Sequence, residues 1–577
     1  MRIEGVDYGV LGVEGLAARL LSQPGAIEGF LVPRSLDEIP EPPRETRGSG
    51  RGQDTGLRAN WEAPERGAAL AVTLERELAR VAPHVAVLDS VRKLRLPGAC
   101  AVIAGQQPGF LASPLYNLHK ALHVVRLARS LSQAWERPVV PMFWNHADDH
   151  DLAEVNHVFV ANQNLDLQKI GLSSMSSGRQ PFSRLILSED KHRLSAIRAT
   201  LEELHGGEPH LREALDLFCP RDGESLARAF TRSMTALLGR FGLVVVEPDW
   251  IRPALSRALA DLVGRDGPDG AGLERPLLEG ARAVEALGFV PQIDPRTAAI
   301  LYRVDADGRS ALRLGGEGLR YDGEEGSRTR AELAAELVQD PGAWSPAALT
   351  RALAQDAALP IAAYVGGLGE LAYHAQLVPL RDFAGLPRTP FVPRFSCTLV
   401  EGEVDASLGK LAMSAEHVLR ARGELGSGDE SGSSTPPVVT QLREIAARAA
   451  RELNQQRALL AELDTGLAAN LKRTGDQIRS LVEKMCEKAE RVHQNRAGRG
   501  QKHLRRVSSA LFPRGLPQER VIGPLPFYAR YGPGFVDELL EHVPAVPREH
   551  WIAHFEDPAA AARPEVGGDT DEGEATR

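Results

Sequence analysis

Three histidines and four carboxylates crowd into twelve residues: His146, Asp148, Asp149, His150, Asp151, Glu154 and His157, with Asn156 beside the last. Carboxylates beside imidazoles tune one another into acid and base partners, because a neighbouring negative charge raises a histidine pKa while crowded carboxylates resist ionising together. The same residue types ligate divalent metals, and a solvated acidic loop is the third reading. A second constellation is Gly105, Gln106, Gln107, Pro108 and Gly109. Glycines between a strand and a helix let a phosphate approach free backbone N–H groups, although the segment also suits a plain tight turn and matches neither GxGxxG nor a Walker A loop. A third runs from Tyr364 to Gln376, with Gly366, Gly367 and Gly369 followed by Glu370, Tyr373 and Gln376 on successive turns of a helix start. It reads as the other wall of a pocket, or as a helix whose Glu370 complements the dipole and whose Tyr373 is core.

These residues need elements to position them. Ala99 to Ala104 is a short apolar run bounded by Pro97, Gly98 and Gly105, the pattern of a buried strand. Ser113 precedes Pro114, an N-capping residue before a proline at the first helical position. Leu115, Leu118, Leu122, Val125 and Leu127 then recur at helical spacing and predict a helix over about 114–132. Pro138 to Trp144 is a second apolar run, so strand, loop, helix and strand follow in βαβ order and predict a parallel, doubly wound sheet. Leu243–Val246 and Ile361–Val365 are further strand candidates. Ligands of open α/β sheets sit beyond the carboxyl ends of strands, where the glycine loop and the acidic cluster both fall.

A chain of 577 residues exceeds one hydrophobic core, so two or more structural units are expected. With 43% hydrophobic and 25% charged residues it is globular in composition. A net charge of -9 without a basic stripe argues against nucleic acid as a partner. Cys100, Cys219, Cys397 and Cys486 are too dispersed for a CxxC metal pair and too few for a disulfide framework, which fits the cytoplasm. Met1–Leu21 lacks the apolar core of a signal peptide, and no stretch reaches the roughly 20 apolar residues of a membrane span.

Composition divides the chain into an N-terminal segment (1–65), whose Glu41–Arg58 stretch is a mobile Pro/Gly/Arg-rich arm, a core (66–250), an insertion (251–345), a second core part (346–422), a linker (423–437), a helical C-terminal region (438–557) and a disordered acidic tail (558–577). Leu442, Ala446, Ala449, Leu453, Gln456, Leu460, Leu463 and Leu467 recur at alternating spacings of three and four, and Leu471, Ile478, Leu481 and Met485 continue the stripe after a stutter. One long helix over about 440–495 follows, buried against an antiparallel helix of the same chain or a second subunit.

Ala104 to Phe110 with Pro114, Leu115, Tyr116 and Lys120 resembles the signature of BshC, the bacillithiol-biosynthesis cysteine-adding family. Pro141–Trp144 through Asp149–Asp151, Asn156 and His157 is similar, as are Tyr364–Glu370 with Pro393 and Arg394, Leu511–Arg520, and Tyr531–Pro533. The blocks keep their order from about residue 90 to 540. Where the family carries Glu-Asp-His-Asp this chain has Asp148 in place of the glutamate, and Asn145 and His146 occupy a place that is normally more apolar.

The resemblance implies an α/β fold, a Rossmann-like parallel-sheet core with connecting insertions plus a long coiled coil that forms a homodimer. It further implies an amide ligase joining cysteine to the amine of glucosaminyl-malate, with the carboxylate activated by ATP and magnesium accompanying the nucleotide. On that reading Gly105, Gln106, Gln107, Gly109 and Lys120 hold phosphates. Asp148, Asp149 and His150 are catalytic, the latter two handling the amine proton. Tyr116, Asn156, His157, Gly366, Gly367, Gly369, Glu370, Tyr373 and Arg394 bind substrate. A metal-dependent hydrolase of a thiol or sugar conjugate and a nucleotide-sensing coiled-coil scaffold are the alternatives.

Overall fold

The computed structural model describes residues 1–556 apart from 43–63, 162–166, 173–177, 188–190, 268–269, 316–317, 322–326, 426–436, 464 and 495–498. Most of the expected arm, most of the linker and the acidic tail lie outside the described residues. The chain forms two compact units, residues 1–399 with 516–577, and Val400–Gly515.

Numbered along the chain, the strands of the first unit are β1 (Arg2–Val6), β2 (Cys100–Gln106), β3 (Val139–Asn145), β4 (His157–Ala161), β5 (Leu167–Gly171), β6 (Val244–Val246), β7 (Ala299–Asp305), β8 (Gly308–Gly315), β9 (Gly318–Tyr321), β10 (Ser327–Arg328), β11 (Trp344–Pro346), β12 (Ile361–Gly366), β13 (Phe391–Pro393), β14 (Cys397–Val400, which ends at the unit boundary) and β15 (His550–His554). The central sheet has the order β13-β12-β2-β3-β6, every neighbouring pair parallel. Both faces of a parallel sheet are covered, which is why β2 and β3 read as continuous apolar runs. Their side chains alternate: Val102, Ala104 and Phe143 enter one core, and Ala101, Ile103, Met142 and Trp144 the other. The helix Tyr116–Trp135 covers the first face with Leu118, Leu122 and Val125.

That helix begins two residues later than expected, and Ser113 does not cap it. Leu115 is the N-cap and offers no side-chain cap. The Ser113 carbonyl accepts from Asn117 Nδ2 at 2.8 Å, and the Leu115 N–H is drawn to the Ile522 carbonyl at 2.7 Å. The predicted break at Pro83 is present, since one helix spans Pro64–Leu78 and the next Val85–Lys93. Within residues 251–345, β7 to β11 build an antiparallel sheet of order β10-β9-β8-β7-β11. The N-terminal strand β1 pairs antiparallel with β15, which neighbours β14. The expected 438–557 region is therefore divided, because residues 516–556 pack with the first unit.

In the second unit the single helix expected over 440–495 is instead three helices, Pro437–Gln455, Arg457–Leu463 and Thr465–Gln494. The last folds back antiparallel on the first: Cys486 Sγ lies 3.8 Å from the Val439 carbonyl, and Arg443 pairs with Glu483 at 2.9 Å and Glu490 at 3.0 Å. The seam buries Ala446 and Cys486, while Leu481 and Met485 of the expected stripe are 65% and 58% exposed. On the returning helix Cys486 is buried and Val482 and Ile478 are half-buried, whereas Leu481 and Met485 point to solvent. Among the described residues no helix is long and apolar enough to cross a membrane.

His123 ties the core helix to two distant segments. Its Nε2 lies 2.9 Å from the Ala545 carbonyl and its Nδ1 accepts from the Phe395 N–H at 3.2 Å. That tautomer is neutral, and burial pushes the pKa down to about 4. Burial pushes His550 to about 4 as well. Because the unfolded chain takes up these protons near pH 6.5 and the folded chain does not, stability is complete above that pH and falls as pH drops towards 4. Each histidine is expected to remove about 1.4 kcal/mol per pH unit in that window. Urea unfolding between pH 7.5 and 5 checks this, and a flat profile contradicts it.

Candidate active site

From β2 the chain runs outward through β3 to β6, then returns to the other side of β2 for β12 and β13. The connections after β2 and β12 therefore diverge, and such a switch point opens a crevice at the carboxyl ends of the strands. The glycine loop after β2, the acidic loop after β3, Gly367–Glu370 after β12 and Arg394 after β13 all leave the sheet at this edge.

Lys120 and Glu370 occupy the centre. The Lys120 ammonium, on a side chain only 2% exposed, donates to the Gly105 carbonyl at 2.8 Å and to Gln106 Oε1 at 2.7 Å, and pairs directly with Glu370 Oε2. An ammonium has three donors, and all three are engaged. The side chain expected to hold phosphate is thus engaged within the protein, bridging the two loops. Glu370 also accepts from the Gly367 N–H at 2.7 Å and from the Tyr364 hydroxyl at 2.7 Å. Burial alone would raise its pKa, but Lys120 and these donors hold it below the usual carboxylate range. Tyr373 stands behind, its hydroxyl accepting from Arg351 at 2.9 Å and pushed by burial up to about 12.

The glycines of the first loop serve packing. A Cβ on Gly109 would lie 1.6 Å from the Ser113 carbonyl oxygen, and one on Gly105 would lie 2.5 Å from His146 Nε2. Gly109 therefore admits no side chain on the face turned to Ser113. Gln106 Nε2 reaches the Tyr116 hydroxyl at 3.2 Å, and Gln107 Nε2 donates to Asp149 Oδ2 at 2.8 Å, so the two glutamines brace neighbouring loops.

On the β3 side, Asp149 Oδ1 accepts from the His150 backbone N–H at 2.7 Å. Asp148, expected to be catalytic, forms a two-point ion pair with Arg252, one arm at 2.9 Å, and Arg252 also holds Asp249. His150 Nδ1 lies 3.1 Å from Arg309 Nη1, and the Arg309 guanidinium stacks 3.8 Å from the Tyr302 ring centroid. Burial first, then Arg309, lower the His150 pKa. Asn156 and His157 pair with each other at 2.9 Å where the β4–β5 hairpin begins, so they support that hairpin. Among the described residues no group of three or more His, Cys, Asp or Glu side chains could hold a metal ion.

On the β12 side a cavity of about 530 Å³ is lined by Gly366, Gly369, Arg394, Glu519, Arg520 and Tyr8, among others. A Cβ on Gly369 would meet nothing within 4 Å, so the helix Leu368–Ala375 presents open backbone there. The Tyr8 hydroxyl is buried and has no hydrogen-bond partner among the described residues. Arg394 stands 5.4 Å over the Tyr116 ring and donates to both Glu519 oxygens, at 2.9 and 2.5 Å. Glu519 also receives Ser396 Oγ at 2.9 Å and lies 2.9 Å from His119 Nδ1. Burial opposes its ionisation, but Arg394 and His119 hold its carboxyl well below the usual range.

The structure thus gathers Gly105, Gln106, Lys120, Tyr116, Gly367 and Glu370 at the centre, Gln107, Asp149 and His150 in one lobe, and Gly366, Gly369 and Arg394 in the other. Sequence reasoning missed Tyr8, Arg252, Tyr302, Arg309 and Arg351. No motif marks them: Arg252 reaches Asp148, Arg309 reaches His150 and Arg351 reaches Tyr373, contacts that the local sequence does not show. Glu519 and Arg520 do sit in the Leu511–Arg520 block, which was visible as family-like but carried no assigned role.

The model of the BshC N-terminal Rossmann-like domain matches residues 54–395, and that of the BshC C-terminal coiled-coil domain matches 397–555. A protein of Koribacter versatilis named "Putative cysteine ligase BshC" is 31% identical over 466 residues, covering 81% of this chain and 85% of its own. Proteins of the same name from Heliobacterium modesticaldum and Symbiobacterium thermophilum are each 30% identical, covering 78% and 83% of this chain and 83% and 88% of their own. Their blocks of likeness and the parallel sheet described above lead to one conclusion: this chain belongs to the BshC family of bacillithiol-biosynthesis proteins.

Proposed function

We propose that this protein is an ATP-dependent ligase that joins the carboxyl group of cysteine to the amine of glucosaminyl-malate, working in the cytoplasm as a homodimer. The observation that carries the reading is the crevice at the switch point, two polar lobes joined by the buried Lys120–Glu370 pair, in a chain whose relatives bear the name cysteine ligase. A carboxylate resists attack by an amine, so it must first become a mixed anhydride or adenylate, and the leaving group carries negative charge that oriented donors stabilise. Magnesium would accompany the nucleotide as part of that substrate. The open backbone at Gly369, at a helix N-terminus, suits an anionic group better than Lys120, whose donors are engaged.

Nothing specific favours the metal-dependent hydrolase, because Asp148 is held by Arg252 and both Asp149 oxygens accept from neighbours. All four cysteines are free thiols, which agrees with a reducing compartment. Val438, Ile445, Leu481 and Met485 are about half exposed or more on the helical hairpin, which supports a dimer through the coiled coil.

Mass spectrometry of the protein incubated with glucosaminyl-malate, cysteine, ATP and magnesium, each omitted in turn, is expected to show the cysteinyl conjugate only in the complete mixture. Its absence from a folded preparation would falsify the assignment. If Lys120 is a strut, Glu370→Gln leaves a buried ammonium unpaired and is expected to cost about 3–5 kcal/mol. The double change Lys120→Met with Glu370→Leu should cost less than the single one, measured by urea unfolding. The pair Leu481→Glu and Met485→Glu is expected to turn a dimer into a monomer in sedimentation; an unchanged mass would move the subunit contact elsewhere.

A further inference from the structure

We propose that Arg309, supplied by the 251–345 insertion, is a positioning residue that fixes His150 as the neutral Nε2–H tautomer, so that His150 meets its ligand as a hydrogen-bond donor to an anionic oxygen. A guanidinium has only donors and is not deprotonated in proteins. With Arg309 Nη1 at 3.1 Å, the Nδ1 of His150 must present its lone pair, and the remaining proton of a neutral ring sits on Nε2. The competing arrangement, Nδ1–H towards Asp149, is not made: Asp149 Oδ1 is 3.6 Å from Nδ1 and is taken by the His150 backbone N–H, while Oδ2 is taken by Gln107.

Arg309 is itself fixed. Its side chain is 5% exposed, Nε donates to Ser345 Oγ at 3.2 Å, Nη2 donates to the Pro346 carbonyl at 3.2 Å, and its plane lies on Tyr302. Tyr302 also meets the His150 ring edge-on at 5.7 Å between centroids, so one aromatic side chain orients both groups. The other charges near the imidazole are Asp149 and Asp151, which favour its protonation, and Arg179, which opposes it together with Arg309. His150 Nε2 has no hydrogen bond among the described residues, and the side chain is 26% exposed, so this edge is available to a ligand.

The consequence reverses the proton-accepting role expected from the sequence. In the tautomer set by Arg309, Nε2 has no lone pair for an incoming proton; it offers N–H to an oxygen bearing charge, on a phosphate or on a carboxylate. No proton leaves Nε2 in this role. The identity of the anion rests on the ligase reading, whereas the tautomer does not.

Nitrogen NMR of the full-length protein labelled with ¹⁵N-histidine, with the His150 signals assigned by their loss in His150→Gln, decides the tautomer without any assay of turnover. Wild type is expected to show protonated Nε2 and bare Nδ1 at pH 7. Arg309→Lys should preserve that state, and Arg309→Leu should yield mixed tautomers with a raised pKa, since one of the two main causes of its lowering is removed. An Nδ1–H tautomer in wild type, or no change in Arg309→Leu, overturns the proposal. Titration with ADP or with malate should shift the Nε2 signal for the anion that binds there, phosphate or carboxylate; a signal moved by neither overturns the ligand part. In the ligation assay His150→Ala should lose about 10²–10³-fold in turnover, the usual loss on removing one such donor, while His150→Gln, which keeps an N–H near Nε2, should stay within about tenfold of wild type. Equal loss in both overturns the donor role, and absence of any product with the tautomer intact counts against the ligase reading alone.

Discussion

A buried ammonium cannot stand alone in a protein interior, because leaving water costs several kcal/mol that only a partner and further hydrogen bonds offset. Lys120 and Glu370 meet that constraint with each other, and the rest of the crevice is arranged around them. Lys120 belongs to the helix that follows β2, and Glu370 to the helix that follows β12. These are the two strands at which the sheet changes direction, so the pair closes the switch point across 250 residues of sequence. Tyr364, Gly367, Gly105 and Gln106 supply the remaining hydrogen bonds, which fixes both strand ends relative to each other.

The same device recurs on either side. Arg252 joins the loop after β3 to the segment after β6 by holding Asp148 and Asp249. Arg394 and Glu519 join the end of β13 to the residues that follow the helical hairpin in sequence, and His119 adds the core helix to the same carboxylate. Each is a charge surrounded by enough partners that neither member can be replaced alone without leaving a desolvated group. Several of the charged residues that looked like chemistry in the sequence, Asp148, Lys120, Glu370 and Arg394 among them, also hold loops together. Among the described residues the Nε2 edge of His150 and the backbone at Gly369 are open to a ligand, while the Tyr8 hydroxyl is buried without a partner behind the cavity wall.

Local order was legible where one segment sufficed to specify it. Apolar runs marked β2, β3, β6 and β12, the break at Pro83 separated two helices, and βαβ order implied parallel strands. What depended on distant partners was not legible. A lysine after a glycine loop has the composition of a phosphate site, and only the position of Glu370 reveals that its donors are engaged. Ser113 before Pro114 has the form of a cap, yet the Ile522 carbonyl draws the Leu115 N–H away. Leucines at three- and four-residue spacing marked helix in the second unit but not the breaks within it, and in the fold-back Cys486 is buried while Leu481 and Met485 are exposed. Arg309 was invisible because residues 159 positions apart gave no reason to pair it with His150.

The division of labour between the two sides of the crevice follows from charge. On the β3 side two arginines, Arg252 and Arg309, face Asp148, Asp149 and His150, and each carboxylate oxygen already has a donor. A cation approaching there would have to displace an arginine or a backbone N–H, whereas an anionic oxygen approaching His150 displaces nothing from the protein. Imidazole near two aspartates would ordinarily be drawn towards its charged form. Here burial and a guanidinium at 3.1 Å outweigh a carboxylate at 3.6 Å, and the ring stays neutral with its donor outward. By carrying Arg309 at the start of β8, the insertion sets an acidic, histidine-rich loop to receive negative charge at His150.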